Sequence, residues 1–120
     1  MKLNHLDLQV PDVQRCAEFF EAHFGFVWNG NRKSPAIAIL SGPDGFVLVL
    51  QRMKEGDSGY PEGFHLGFLV DDVATVRAQH ERMSASGLAS SGIIENNRGV
   101  MFYVQAPGDV TVEVSCRRVA

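Results

Sequence analysis

The sequence has only two cysteines among its 120 residues, Cys16 and Cys116, a hundred positions apart. A chain this poor in cysteine is neither a disulfide scaffold nor a cysteine-rich zinc module. Both fall on apolar stripes, so both are expected as buried free thiols and the compartment as the cytoplasm. No apolar run approaches the roughly 20 residues that span a bilayer, so no membrane partner is expected. No Lys/Arg cluster accompanies the net charge of -3, which argues against nucleic acid or an anionic membrane surface as a partner. Met1-Lys2-Leu3-Asn4-His5 leads directly into an alternating pattern and lacks the anatomy of a signal peptide. With 45% hydrophobic and 21% charged residues, what remains is a globular chain able to bury a core as one domain.

The chain states one motif twice. Leu3-Asn4-His5-Leu6-Asp7-Leu8-Gln9-Val10-Pro11-Asp12-Val13 returns sixty residues later as Gly63-Phe64-His65-Leu66-Gly67-Phe68-Leu69-Val70-Asp71-Asp72-Val73. Between His5 and Val13, five of nine positions recur: the His, the Leu after it, then Val, Asp and Val. A second match aligns Pro43 with Pro107, at an offset of 64, and carries Val49 onto Glu113. The extra four residues are assigned to the intervening loops.

Between the repeats the pattern is regular. Leu3 to Val10 alternates as a strand, with Leu6, Leu8 and Val10 on one face and His5, Asp7 and Gln9 on the other. Val13, Cys16, Ala17, Phe20 and Phe24 then form a helical stripe that Gly25 stops. Short strands follow at 26–29, 35–41 and 46–52, the last two joined by the turn Gly42-Pro43-Asp44-Gly45. Residues 54–62, rich in Gly, Pro and charge, read as a linker. The second half repeats the plan: a strand at 64–70, a helix marked by Val73, Val76, His80 and Met83, and strands at 88–95, 100–105 and 110–116. No signal marks the tail 117–120. The expected fold is α+β, with two tandem β-α-β-β-β modules (about 1–53 and 63–116) forming a cup-like mixed sheet with helices on its outer face.

In the last strand Val110, Val112, Val114 and Cys116 share a face, while Thr111, Glu113 and Ser115 share the other. The polar faces of the first and last strands thus carry His5 and Glu113, and strand parity adds His65. Two imidazoles and a carboxylate suit a borderline divalent ion: Fe, Mn, Zn or Ni. Taken singly, the histidines are ordinary half-exposed strand residues and Glu113 an ordinary surface carboxylate. The repeat at the two histidines, with parity and residue type at all three, jointly favours a metal or ligand site. His23 and His80 lie on predicted helices, where structural roles are expected.

With His5 in Asn4-His5-Leu6, His65 in Phe64-His65-Leu66-Gly67-Phe68, and Phe102-Tyr103-Val104-Gln105-Ala106-Pro107-Gly108 leading to Glu113, the whole chain resembles the vicinal oxygen chelate superfamily. That group includes glyoxalase I, extradiol dioxygenases and bleomycin or fosfomycin resistance proteins. The resemblance implies two modules closing a cup around a small-molecule site, often in a homodimer. It also implies metal ligands from the first and fourth strands of each module, which His5, His65 and Glu113 match. The fourth position is Val49, which cannot ligate; Gln51 shares its face two residues on and would replace it only if the register slipped. His-His-Glu is the ferrous set of the dioxygenases, and Tyr103 resembles their substrate-binding tyrosine.

Two functions compete. One is a metal-dependent enzyme, a dioxygenase or lyase, binding a vicinal-oxygen substrate at His5, His65 and Glu113 with Tyr103 as a catalytic residue. The other is a metal-free, bleomycin-sequestering type of binding protein, for which Trp28, Phe46, Phe102 and Tyr103 are candidate lining residues or core. A vestigial site in a structural subunit is a third possibility.

Overall fold

In a computed structural model, which describes residues 1–118, the chain forms two compact units, Met1–Gly59 and Tyr60–Ala120. Val119 and Ala120, at the end of the signal-free tail, lie outside the described residues. Unit 1 contains β1 (His5–Val10), α1 (Val13–Phe24), β2 (Val27–Asn29), β3 (Ile37–Ser41) and β4 (Val47–Arg52). Unit 2 contains β5 (His65–Leu69), α2 (Val73–Ala85), β6 (Ile94–Asn96), β7 (Gly99–Ala106) and β8 (Val110–Arg117). Each unit is β-α-β-β-β, as expected, and holds its own four-stranded mixed sheet, in the order β1-β4-β3-β2 or β5-β8-β7-β6.

The local chemistry explains the helices. Asp12 caps α1 by accepting from the Arg15 N–H at 3.1 Å, and Asp72 caps α2 by accepting from the Thr75 N–H at 2.7 Å. Bonding to the Thr75 side chain and N–H holds the Asp72 carboxyl below its usual range. Gly25 ends α1 at φ 69°, a left-handed conformation that costs glycine nothing. On α1, Val13, Cys16, Ala17, Phe19 and Phe20 are buried toward the sheet with Leu8, Val10, Leu40, Leu48 and Leu50. The α2 stripe is thinner: Val76 and Met83 are buried, while Val73 is exposed.

Parity along the strands follows the sequence pattern, but burial departs from it in two places. Glu113 and Ser115 are 3% and 0% exposed, so this part of the polar face is closed to water. Cys116, expected to be buried, is partly exposed at the strand end, whereas Cys16 is fully buried; both are free. Burial, reinforced by the Asp12 charge, pushes the Cys16 thiol up to about 12.

The strand expected at 88–95 is shorter, with only Ile94–Asn96 regular and a single bridge at Ser90–Val104. The Ser91 hydroxyl accepts from the Tyr103 N–H at 2.9 Å, taking the place of a strand carbonyl. The Ser91 N–H donates to the Tyr103 carbonyl at 2.8 Å and the Gln105 N–H to Ala89 at 3.0 Å. The segment therefore lies along β7 without completing a ladder.

Candidate functional site

The two parallel strand pairs have identical registers. In unit 1, His5 is opposite Val47, Asp7 opposite Val49 and Gln9 opposite Gln51. In unit 2, His65 is opposite Thr111, Gly67 opposite Glu113 and Leu69 opposite Ser115. The offsets of 60 and 64 meet in these pairings, so Val49 is the structural counterpart of Glu113, and Gln51 does not slip into its place.

Each histidine has a backbone carbonyl at Nδ1, on the paired strand for His5 and two residues back in its own segment for His65. His5 Nδ1 lies 3.0 Å from the Val47 carbonyl and His65 Nδ1 lies 3.1 Å from the Gly63 carbonyl. A carbonyl only accepts, so each neutral ring carries its proton on Nδ1 and leaves the Nε2 lone pair outward. This is the tautomer that an Nε2 metal ligand requires, with the backbone oxygen fixing the ring.

Unit 2 brings three of the expected residues together. Tyr103 is opposite Glu113 in the β7–β8 register, and its hydroxyl donates to Glu113 Oε1 at 2.7 Å. The ring of His65 meets that of Tyr103 edge-on, with centroids 5.8 Å apart. The bond to Glu113, then burial and the glutamate's charge, raise the Tyr103 pKa, while Arg98 and Arg117 oppose this. The phenol therefore remains a proton donor at neutral pH. Gly67 makes room for the carboxylate: a Cβ at that position would stand 3.3 Å from Glu113 Oε2.

Arg117, in the stretch where the sequence carried no signal, closes the group. Its guanidinium donates to Glu113 Oε2 at 3.2 Å from a half-exposed position, so both oxygens of a nearly buried carboxylate are partnered. Strand parity could have found it, since residues 113, 115 and 117 share a face. The buried Ser115 hydroxyl between them has no hydrogen-bond partner among the described residues.

His5 stands in unit 1, with a different neighbour. Asp7, on the same face two residues along β1, accepts from Gln9 Nε2 at 2.8 Å on Oδ1 and from Gln51 Nε2 at 2.6 Å on Oδ2. The sequence placed Asp7 on this face but assigned it no role. Reading the repeat across paired strands, instead of along each strand, reveals it.

The other candidates are structural. His80 reaches the Ser91 carbonyl at 3.0 Å and packs on Phe102, which is fully buried on the α2 side. Trp28 is buried beneath Arg32, whose guanidinium carbon lies 4.3 Å from the ring centroid, and Phe46 packs on Phe26. His23 packs against Phe19 on α1.

The donor types are ones a divalent ion accepts: an imidazole on His5 in unit 1, and an imidazole on His65 with a buried carboxylate on Glu113 in unit 2. Among the described residues, no three His, Cys, Asp or Glu side chains are already gathered as a set able to hold an ion.

A sheet of this topology with these histidine and glutamate positions defines a module of the glyoxalase type. The chain belongs to the Glyoxalase/Bleomycin resistance protein/Dioxygenase superfamily, whose family model matches residues 2–114. It is similar to a structure described as a possible glyoxalase from Bacillus cereus: 35% identity, TM-score 0.85, covering 97% of this chain and 99% of that one. At 15% identity and TM-score 0.79, the fosfomycin resistance protein FosX from Listeria monocytogenes shares the fold over 99% of this chain and 95% of its own. The lactoylglutathione lyase from Agrobacterium tumefaciens does so at 19% identity and TM-score 0.76, over 95% and 92%. No curated protein sequence matches the chain. No helix among the described residues is long and apolar enough to cross a membrane.

Proposed function

We propose that this protein is a metal-dependent enzyme that binds a small substrate through two neighbouring oxygens, with His5, His65 and Glu113 holding a divalent ion. The observation that carries this reading is that each of two histidines related by the repeat has its Nδ1 at a backbone carbonyl, His5 at Val47 and His65 at Gly63, which turns Nε2 to the other side of both rings. Membership in the superfamily and similarity to a possible glyoxalase support it. Bound there, Fe, Mn, Zn or Ni would polarise the substrate oxygens and stabilise negative charge as it develops.

The chain's own residues supply the rest. Tyr103 orients Glu113 and keeps its proton at neutral pH, making it the donor for a substrate oxygen. Its single proton is committed to Glu113 in this state, so serving a substrate requires that bond to switch. Arg117 pairs with Glu113 Oε2 and offsets its charge. The reaction class is a dioxygenase or lyase, in a cytoplasmic homodimer.

One observation favours the second reading, a metal-free protein that sequesters a drug-like ligand. Both Glu113 oxygens are already satisfied, and Val49 offers no fourth ligand. Thermal unfolding after exhaustive chelation separates the two. The enzyme reading requires stabilisation by Mn²⁺, Fe²⁺, Ni²⁺ or Zn²⁺; stabilisation by bleomycin alone, with none by metal, supports sequestration and contradicts it.

A further inference from the structure

The sheet of unit 1 buries one face, through Leu8, Val10, Leu40, Leu48 and Leu50, on the side of α1. Its other face is apolar at the centre as well, which a sheet turned only to water does not need. Val27 is 59% exposed, Ile39 45%, Ile37 40% and Val47 36%, four of the nine exposed large apolar side chains among the described residues. Strand parity and the registers put all four on the face that carries His5 and Asp7.

The pairings make this surface continuous. Asp7 is opposite Val49, and Val49 is opposite Ile39; His5 is opposite Val47, and Ile37 is opposite Gln51. The β3 and β4 columns are therefore mostly aliphatic and the β1 edge polar. Neighbouring strands are about 4.8 Å apart, so Asp7 and Ile39, two strands apart, are separated by about 10 Å. Contiguous apolar surface rimmed by polar groups marks a place where something binds.

The charge of the face is one-sided. Asp7 is the single acidic or basic side chain that the four strands place there; Arg52, at the end of β4, has the opposite parity. Gln9 and Gln51 each give an amide hydrogen to one Asp7 oxygen, at 2.8 and 2.6 Å, which fixes the carboxylate without neutralising it. Each oxygen keeps a lone pair for another partner. No salt bridge among the described residues includes Asp7, whereas Glu113 in unit 2 is paired with Arg117. A fixed carboxylate beside Val49, with no cation of its own, is complementary to a positive group that brings apolar surface with it.

We infer that this face of unit 1 binds a small apolar amine, its protonated amino group received by Asp7 and its ring or hydrocarbon body lying across Val49 onto Ile39. The inference names the chemical class of the ligand and goes beyond the function proposed above. It requires no ion, so it stands or falls separately from the metal reading.

Phenylpropylamine, phenylpropanol and phenylpropionate share one body and are cationic, neutral and anionic at neutral pH. Each is titrated by NMR into the chelator-treated full chain, as wild type, Asp7→Asn and Ile39→Ser, with circular dichroism confirming that each variant is folded. Wild type should bind the amine about three- to fivefold more tightly than the alcohol, and the carboxylate most weakly. The backbone amides of Asp7, Ile39 and Val49 should shift as the amine saturates. Asp7→Asn should reduce the amine to the level of the alcohol and leave the alcohol unchanged. Ile39→Ser should weaken amine and alcohol alike, about two- to fivefold, through lost apolar contact. Equal binding of amine and alcohol by wild type overturns the inference, and so does failure of all three to bind. An amine preference that survives in Asp7→Asn, or binding untouched by Ile39→Ser, overturns it as well. A wild type that prefers the amine yet takes up no Mn²⁺ upholds the inference while the metal reading falls; Mn²⁺ uptake without the preference does the reverse.

Discussion

Replacing Tyr103 with Phe removes one hydroxyl and leaves the ring. The lost bond is the 2.7 Å contact to Glu113 Oε1, on a carboxylate only 3% exposed. Hydrogen bonds to a charged group contribute about 1.5–3 kcal/mol, and an acceptor left without a partner costs a similar amount. Tyr103 is itself partly exposed, and Arg117 still serves the other oxygen, so about 1–2 kcal/mol is expected. For a chain of this size that lowers Tm by about 4–8 °C.

The pH dependence gives a sharper signature. The Tyr103 pKa is raised in the folded state, chiefly by its bond to Glu113. A group with a raised folded pKa contributes stability that is complete below its unfolded value, near 10, and lost as pH rises through the folded one. Wild type should therefore lose stability above about pH 10 more steeply than Tyr103→Phe does. Urea titrations followed by circular dichroism from pH 7 to 11 measure both effects. Equal midpoints at pH 7 with superimposable alkaline limbs would refute the coupling of Tyr103 to Glu113.

Other perturbations have equally definite outcomes. Gly99 sits at φ 144°, and a Cβ there would meet the Cys116 carbonyl oxygen at 2.1 Å, so Gly99→Ala should cost about 3–5 kcal/mol in denaturant titration. A loss under 1 kcal/mol would contradict the close β7–β8 approach at this residue. In the native protein a disulfide reagent should modify Cys116 and leave Cys16 untouched, because Cys16 is buried with its thiol held near 12. One fast thiol that vanishes in Cys116→Ser is the expected result, and two fast thiols the contrary one. Arg117→Met should tighten Mn²⁺ binding about three- to tenfold, since an ion that takes Glu113 must displace the guanidinium at 3.2 Å. Unchanged or weaker binding in calorimetry would show that Arg117 does not compete.

Much of the fold was legible because local and global signals agree. The α1 stripe, its Asp12 cap and its Gly25 stop all point to one helix, and the structure has it at Val13–Phe24. The repeat implied that the two halves correspond strand for strand, and the offsets of 60 and 64 are those that relate the β1–β4 register to the β5–β8 register. The segment before β6 was misread because a side chain, the Ser91 hydroxyl, does the work of a backbone partner there. No periodicity records such a substitution. Of the candidate site, the placement of the histidines and Glu113 on the polar strand faces was legible through strand parity. Their setting was not, because Gln51 reaches Asp7 from 44 positions away and Arg117 is anchored only by the pairing of β8.

The most direct test is the metal content of the protein loaded anaerobically with Fe²⁺ or Mn²⁺, in wild type and in His5→Ala, His65→Ala and Glu113→Ala. One ion per chain in the wild type, lost in each variant while circular dichroism stays native, is the expected result. Unchanged stoichiometry in Glu113→Ala would contradict the proposed site.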